Sequence, residues 1–147
     1  MLTVQHILDK KKDVPVARIG VDDSVLDAAR IMNERHIGAL IVAEKERVIG
    51  IFTERDILNR VVAKQKNPAD TIVKDVMTAP VACCKSDTPL TQCRSVMKSK
   101  RIRHLPVVEK GKLLGMISIG DILEDEFAEQ GETIRYLHDY LYGGDRR

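Results

Sequence analysis

Twice in this chain a hydroxyl residue stands three positions before a carboxylate at the opening of a helical pattern: Thr53-Glu54-Arg55-Asp56 and Ser118-Ile119-Gly120-Asp121. A helix N-terminus offers free N–H groups and the positive end of a dipole, which favour a nearby anion by about 0.3–1 kcal/mol. Thr53 and Ser118 each add a hydroxyl donor, and Arg55 adds a guanidinium able to grip phosphate with two parallel bonds. Asp56 and Asp121, acceptor-only when ionised, suit a pair of vicinal hydroxyls. The same spacing also makes a capping box, in which hydroxyl and carboxylate satisfy the helix's own first N–H groups. For a single instance, capping is the commoner use. The two uses are compatible, because a capping oxygen can still face a ligand.

The run Lys100-Arg101-Ile102-Arg103-His104 is the clearest basic cluster. Arg101, Arg103 and His104 would meet a phosphate, or else form a solvated helix end whose cations offset the dipole. Arg103 and His104 rank ahead of Arg101 for the ligand role. Other chemistries lack their residues. His6, His36, His104 and His138 are scattered, without a His-x-x-x-His pair or a cysteine at zinc spacing. There is no Gly-x-Gly-x-x-Gly, no Walker A loop and no Gly-x-Ser-x-Gly elbow.

These groups must be positioned by a scaffold, and 147 residues suffice for one with its own core. Hydrophobic residues at 44% and charged residues at 31% are an ordinary soluble mixture. Trp is absent, with two Phe and three Tyr, so the core must be aliphatic. A net charge of +2 gives no general field for nucleic acid. No apolar run approaches the ~20 residues of a membrane span, and the N-terminus lacks the order of a signal peptide. Cys83, Cys84 and Cys93 have no metal or redox spacing. A reducing cytoplasm is the expected compartment, with Cys83 and Cys84 buried and inert in a strand.

The scaffold is a duplication. Residues 16–58 align without gaps on residues 81–123. Identical pairs include Val16/Val81, Met32/Met97, Ile37/Ile102, Leu40/Leu105, Val42/Val107, Gly50/Gly115 and Asp56/Asp121. A weaker echo precedes each copy, Val4-Gln5-His6-Ile7-Leu8 against Val73-Lys74-Asp75-Val76-Met77, with Lys10-Lys11-Lys12-Asp13 extra in the first. Residues 64–70 are polar and read as the linker. Each copy reads as strand, helix, strand, strand, helix, with Ser24 and Thr88 at helix starts. One such unit cannot cover its sheet alone, so the two must pack together.

In order and in duplicate, these motifs resemble the cystathionine-β-synthase (CBS) domain. The resemblance rests on Asp75-Val76-Met77-Thr78, on His104-Leu105-Pro106-Val107-Val108, and on the endings Gly50-Ile51-Phe52-Thr53 and Gly115-Met116-Ile117-Ser118. The pair resembles the tandem Bateman module of small stand-alone bacterial proteins. The resemblance implies an α/β (α+β) fold of two β-α-β-β-α repeats about a pseudo-two-fold axis. It assigns residues 1–65 to the first repeat with an N-terminal helix, 66–126 to the second, and 127–147 to a C-terminal helical extension. Within that extension, 132–141 carries Ile134, Leu137 and Leu141 on one helical face.

It further implies two clefts for an adenine nucleotide, AMP first, with NAD(H), ATP or S-adenosylmethionine as alternatives. The hydroxyl, Arg55 and carboxylate roles are the same as those read above. Val16, Ala17, Ile37, Cys83 and Leu105 would line apolar slots, core packing being the better reading of Leu105, and Pro106 would border the base. Gly38 and Ala39 replace Arg103 and His104 in the first copy, and Gly120 replaces Arg55 in the second, so the clefts should bind unequally. The expected module is a regulatory sensor without catalysis, a homodimer of pairs acting on a protein partner and not on nucleic acid or membrane. The alternative is an interaction module with vestigial clefts.

Overall fold

The computed structural model describes residues 1–130; the helix expected at 132–141 lies outside them. Helix α1 (Val4–Lys10) precedes the first unit: β1 (Arg18–Gly20), α2 (Val25–Arg35), β2 (Ala39–Glu44), β3 (Arg47–Thr53) and α3 (Glu54–Asp56), which runs on as the π-helical stretch Ile57–Val62. Two short 3-10 turns, Pro68–Asp70 and Val73–Asp75, lead to α4 (Leu90–Lys100), β4 (His104–Glu109), β5 (Lys112–Ser118) and α5 (Ile119–Gln130). The α+β class is the one the sequence predicts.

The duplication holds down to the register. Hairpin β2–β3 pairs Ala39 with Thr53, and β4–β5 pairs the equivalent His104 with Ser118. The register slips at Val42/Ala43 in one and at Val107/Val108 in the other, again equivalent positions. Both central helices end on a left-handed residue, His36 and Arg101, each at φ 55°.

One strand departs from expectation. In the first unit β1 lies parallel to β2, and the Ile41 N–H donates to the Ala17 carbonyl at 3.1 Å. The second unit has Pro106 at the place of Ile41, so that ladder bond has no donor. The strand expected at 81–84 shrinks to a single bridge, Cys84 with Val107. Cys84 is buried but Cys83 is exposed, against the expectation that both are buried. The buried thiols of Cys84 and Cys93 share a hydrogen bond, which pushes Cys84 far above the usual thiol range.

Helix starts also differ. Ser24 caps α2 by accepting from Asp27 N–H at 3.0 Å, as expected. Thr88 does not cap α4, because its hydroxyl accepts from the Lys85 N–H of the preceding turn at 3.0 Å. The Leu90 N–H is instead taken by the carbonyl of Leu2, at 3.0 Å.

That last bond exposes how the units are joined. Chain order groups α1 with the first unit, yet Val4 and Ile7 are buried in the core of the second, among Leu90, Met97, Leu105 and Ile117. Reciprocally, Val73 and Val76, which precede the second unit, complete the core of the first with Val25, Leu40 and Phe52. Each lead-in segment therefore crosses to the other unit. The glycines of the third strands permit the crossing: a Cβ on Gly50 would lie 2.6 Å from the Thr78 carbonyl, and one on Gly115 2.7 Å from Leu8 Cδ2. At the end of α1, Lys10 bonds Oδ1 of Asp125 in α5, a buried carboxylate whose Oδ2 has no hydrogen-bond partner among the described residues. That bond raises the Lys10 ammonium above its ordinary value.

Candidate functional site

Both hydroxyl–carboxylate motifs form reciprocal caps. Thr53 N–H donates to Asp56 Oδ2 at 3.0 Å while Asp56 N–H donates to Thr53 Oγ1 at 3.3 Å. Ser118 N–H donates to Asp121 Oδ2 at 2.9 Å, and Asp121 N–H donates to Ser118 Oγ at 3.1 Å. What differs is the third partner, supplied by the crossing segment. Asp56 Oδ1 accepts the Thr78 hydroxyl at 3.0 Å. Asp121 Oδ2 accepts the Lys11 ammonium at 2.9 Å, and the same ammonium reaches the Met116 carbonyl at 3.0 Å.

An open cleft of about 600 Å³ lies between the units on the Lys11 side. One wall comes from the first unit: Val14, Pro15, Val16, Ala17, and the α2–β2 turn Arg35, His36, Ile37, Gly38 and Ala39. The other wall comes from the second unit: His104 at the start of β4, and Leu114 to Ser118 along β5. Leu8, Lys11 and Lys12 close it from the lead-in segment. Among the described residues, three cations and two imidazoles line this space and no carboxylate does. Val14, Val16, Leu114 and Met116 supply an apolar surface. Burial pushes the His104 imidazole below its ordinary range, against the opposing pull of Asp121.

On the pseudo-equivalent side the crossing segment is held by its backbone: Thr78 and Ile51 form an antiparallel bridge, with bonds of 3.0 and 2.9 Å. The Arg55 guanidinium donates to the Arg101 carbonyl at 2.8 Å, tying one unit to the other. Gly120, at the matching place beside the open cleft, has no side chain with which to do the same.

The residues proposed from sequence therefore divide. Val16, Ala17, Ile37, Gly38, Ala39, His104 and Ser118 are brought together in the open cleft, with Asp121 behind Lys11. Thr53, Arg55, Asp56 and Arg101 belong to the other side. Leu105 is a core residue at 1% exposure. Pro106 is buried and spends its carbonyl on the Cys84 N–H at 2.9 Å. Cys83, Arg103, Leu105, Pro106 and Gly120 are not among the lining residues. Sequence reasoning missed Lys11, Lys12 and Arg35. The signal for the two lysines was the four extra residues of the first lead-in, Lys10 to Asp13, which the second copy lacks.

Among the described residues no group of three His, Cys, Asp or Glu side chains is placed to hold a metal ion. No helix among them is long and apolar enough to cross a membrane.

Comparison with known proteins places this arrangement. Residues 11–63 and 73–126 match the family model of the CBS domain. A mitochondrial CBS domain-containing protein of Arabidopsis thaliana is 34% identical over 128 residues, covering 84% of this chain and 62% of that protein. The chain thus spans less than two thirds of that relative's length. A CBS-domain protein from Burkholderia ambifaria superposes with a TM-score of 0.85 at 38% identity, covering 89% of this chain and 98% of the other. A hexameric CBS-CP12 protein from bloom-forming cyanobacteria gives a TM-score of 0.75 at 30% identity, covering 90% of this chain and 76% of the other.

Proposed function

The chain belongs to the CBS-domain family as a tandem pair, a regulatory type of module, and on that premise we propose that its open cleft binds an adenine nucleotide, AMP foremost, without catalysing a reaction. One observation carries the reading: a cleft of about 600 Å³ between the units, lined by cations and an apolar surface but, among the described residues, by no carboxylate. Its volume falls among ligand pockets of roughly 300–1,000 Å³. The cations suit phosphate, the apolar surface suits a flat base beside Gly38 and Ala39, and Asp121 suits ribose hydroxyls. NAD(H), ATP and S-adenosylmethionine are the competing ligands.

A ligand held by both walls favours the arrangement in which they face each other and shifts the module by its differential affinity. On the other side Arg55 is spent on the Arg101 carbonyl, which favours one nucleotide per chain over two unequal ones. Leu58 of the π-helical stretch and its equivalent Leu123 of α5 are 60% and 39% exposed, which supports self-association through these helices. Three free thiols suit a reducing compartment such as the cytoplasm.

The test is a thermal melt with AMP, ATP, NAD and S-adenosylmethionine in turn. A ligand at 100 times its dissociation constant stabilises by about 2.7 kcal/mol, a rise of several degrees for a chain of this size. No rise with any of the four would overturn the proposal.

A further inference from the structure

Resting on the nucleotide reading of the open cleft, we propose that Lys11 sets the class of ligand admitted, because entry requires Lys11 and Asp121 to exchange each other for two parts of one ligand. The Lys11 ammonium lies 2.9 Å from Asp121 Oδ2 and 3.0 Å from the Met116 carbonyl. Its side chain is 36% exposed and that of Asp121 is 22% exposed. The pair therefore occupies one of the two carboxylate oxygens that would accept vicinal hydroxyls, using a cation that also lines the cleft.

A ligand that sets vicinal hydroxyls on both carboxylate oxygens must displace Lys11 and, with hydroxyls alone, offers the freed ammonium nothing. A bare phosphate draws Lys11 away and gives the partly covered Asp121 carboxylate nothing in return. A molecule with both an anionic group and vicinal hydroxyls compensates both ends. A phosphorylated nucleoside meets this condition, whereas adenosine and pyrophosphate each meet half of it.

The other side shows why the device belongs to one cleft. There Asp56 is held by the Thr78 hydroxyl, whose backbone is fixed in the bridge to Ile51, and its cation, Arg60 at 3.8 Å, comes from the next turn of its own helix. Thr78 is short and neutral, so it cannot follow a phosphate. Lys11 has a long, flexible stem and sits at the end of α1, in the stretch the second lead-in lacks.

Calorimetric titration of AMP, adenosine and pyrophosphate into the full chain, and into Lys11→Met and Lys11→Arg variants, tests this. The native protein should bind AMP at least tenfold more tightly than adenosine or pyrophosphate. Lys11→Met should weaken AMP about tenfold and strengthen adenosine, collapsing the preference, while Lys11→Arg should keep it. If Lys11→Met binds AMP with the native preference over adenosine, the exchange is wrong and the nucleotide reading stands. If no protein binds AMP, the nucleotide reading fails and the exchange falls with it.

Discussion

The Thr78 hydroxyl donates to Asp56 Oδ1 at 3.0 Å, from a segment that precedes the second unit to a carboxylate that belongs to the first. Asp56 is 5% exposed, so this neutral donor, with the Arg60 guanidinium 3.8 Å from the same oxygen, satisfies a charge that water barely reaches. The equivalent Asp121 is more exposed and uses Lys11 instead. Equivalent carboxylates thus have different partners, one fixed and one movable.

This difference predicts unequal costs. Thr78→Val keeps the shape but removes a bond to a buried charged group, and should cost about 1.5–3 kcal/mol. Lys11→Met removes a partly exposed ion pair, worth roughly 1 kcal/mol or less. Urea unfolding of the two variants measures both; equal losses would contradict the assignment.

The crossing of the lead-in segments predicts that α1 is part of the fold. Ile7 is 2% exposed in the second unit's core. Ile7→Ala should cost about 2–5 kcal/mol, as large-to-small changes in cores do. A loss below about 1 kcal/mol by chemical denaturation would mean that α1 is dispensable.

The two crossing glycines should also differ. A methyl on Gly50 meets the Thr78 backbone carbonyl at 2.6 Å, whereas one on Gly115 meets the mobile end of Leu8 at 2.7 Å. Backbone cannot turn aside and a side-chain tip can. Gly50→Ala should therefore lower the melting temperature more than Gly115→Ala, with a cost of about 1–3 kcal/mol for the first. The reverse order would argue against the packing described.

His104 gives a pH prediction. Burial first of all holds its folded value below the ordinary 6.5. As pH falls, the unfolded chain takes up the proton before the folded one, so stability is lost from about pH 6.5 down through the folded value. Asp121 and Glu54 oppose this shift, while Lys11 and Arg103 add to it. Between about pH 7 and pH 5.5 the native protein should lose more thermal stability than His104→Gln. Parallel melting curves for the two would rule His104 out as the cause.

Most of the fold was legible because duplication doubles every signal. Thirteen identical pairs fixed the register of two hairpins that contain no distinctive motif, from Val16/Val81 to Leu58/Leu123. The missing strand was legible in principle, since Pro106 replaces the Ile41 donor, but its consequence needed the partner carbonyl of Ala17 to be known. The open cleft was only half legible. Gly38, Ala39 and the change from Arg55 to Gly120 pointed to asymmetry, but not to the partners each side would use. Those depend on contacts between distant segments, Thr78 with Ile51 and Arg55 with Arg101, which no local pattern encodes. Lys11 was missed for the same reason: it reaches Asp121 across 110 residues of chain.

If the cleft on the Lys11 side alone receives the nucleotide, calorimetric titration of AMP into the native chain and into an Arg35→Glu variant should show one AMP per chain, with affinity falling at least tenfold when the Arg35 cation at the cleft becomes an anion. Two equivalent molecules per chain, or affinity untouched by Arg35→Glu, would contradict single-cleft binding.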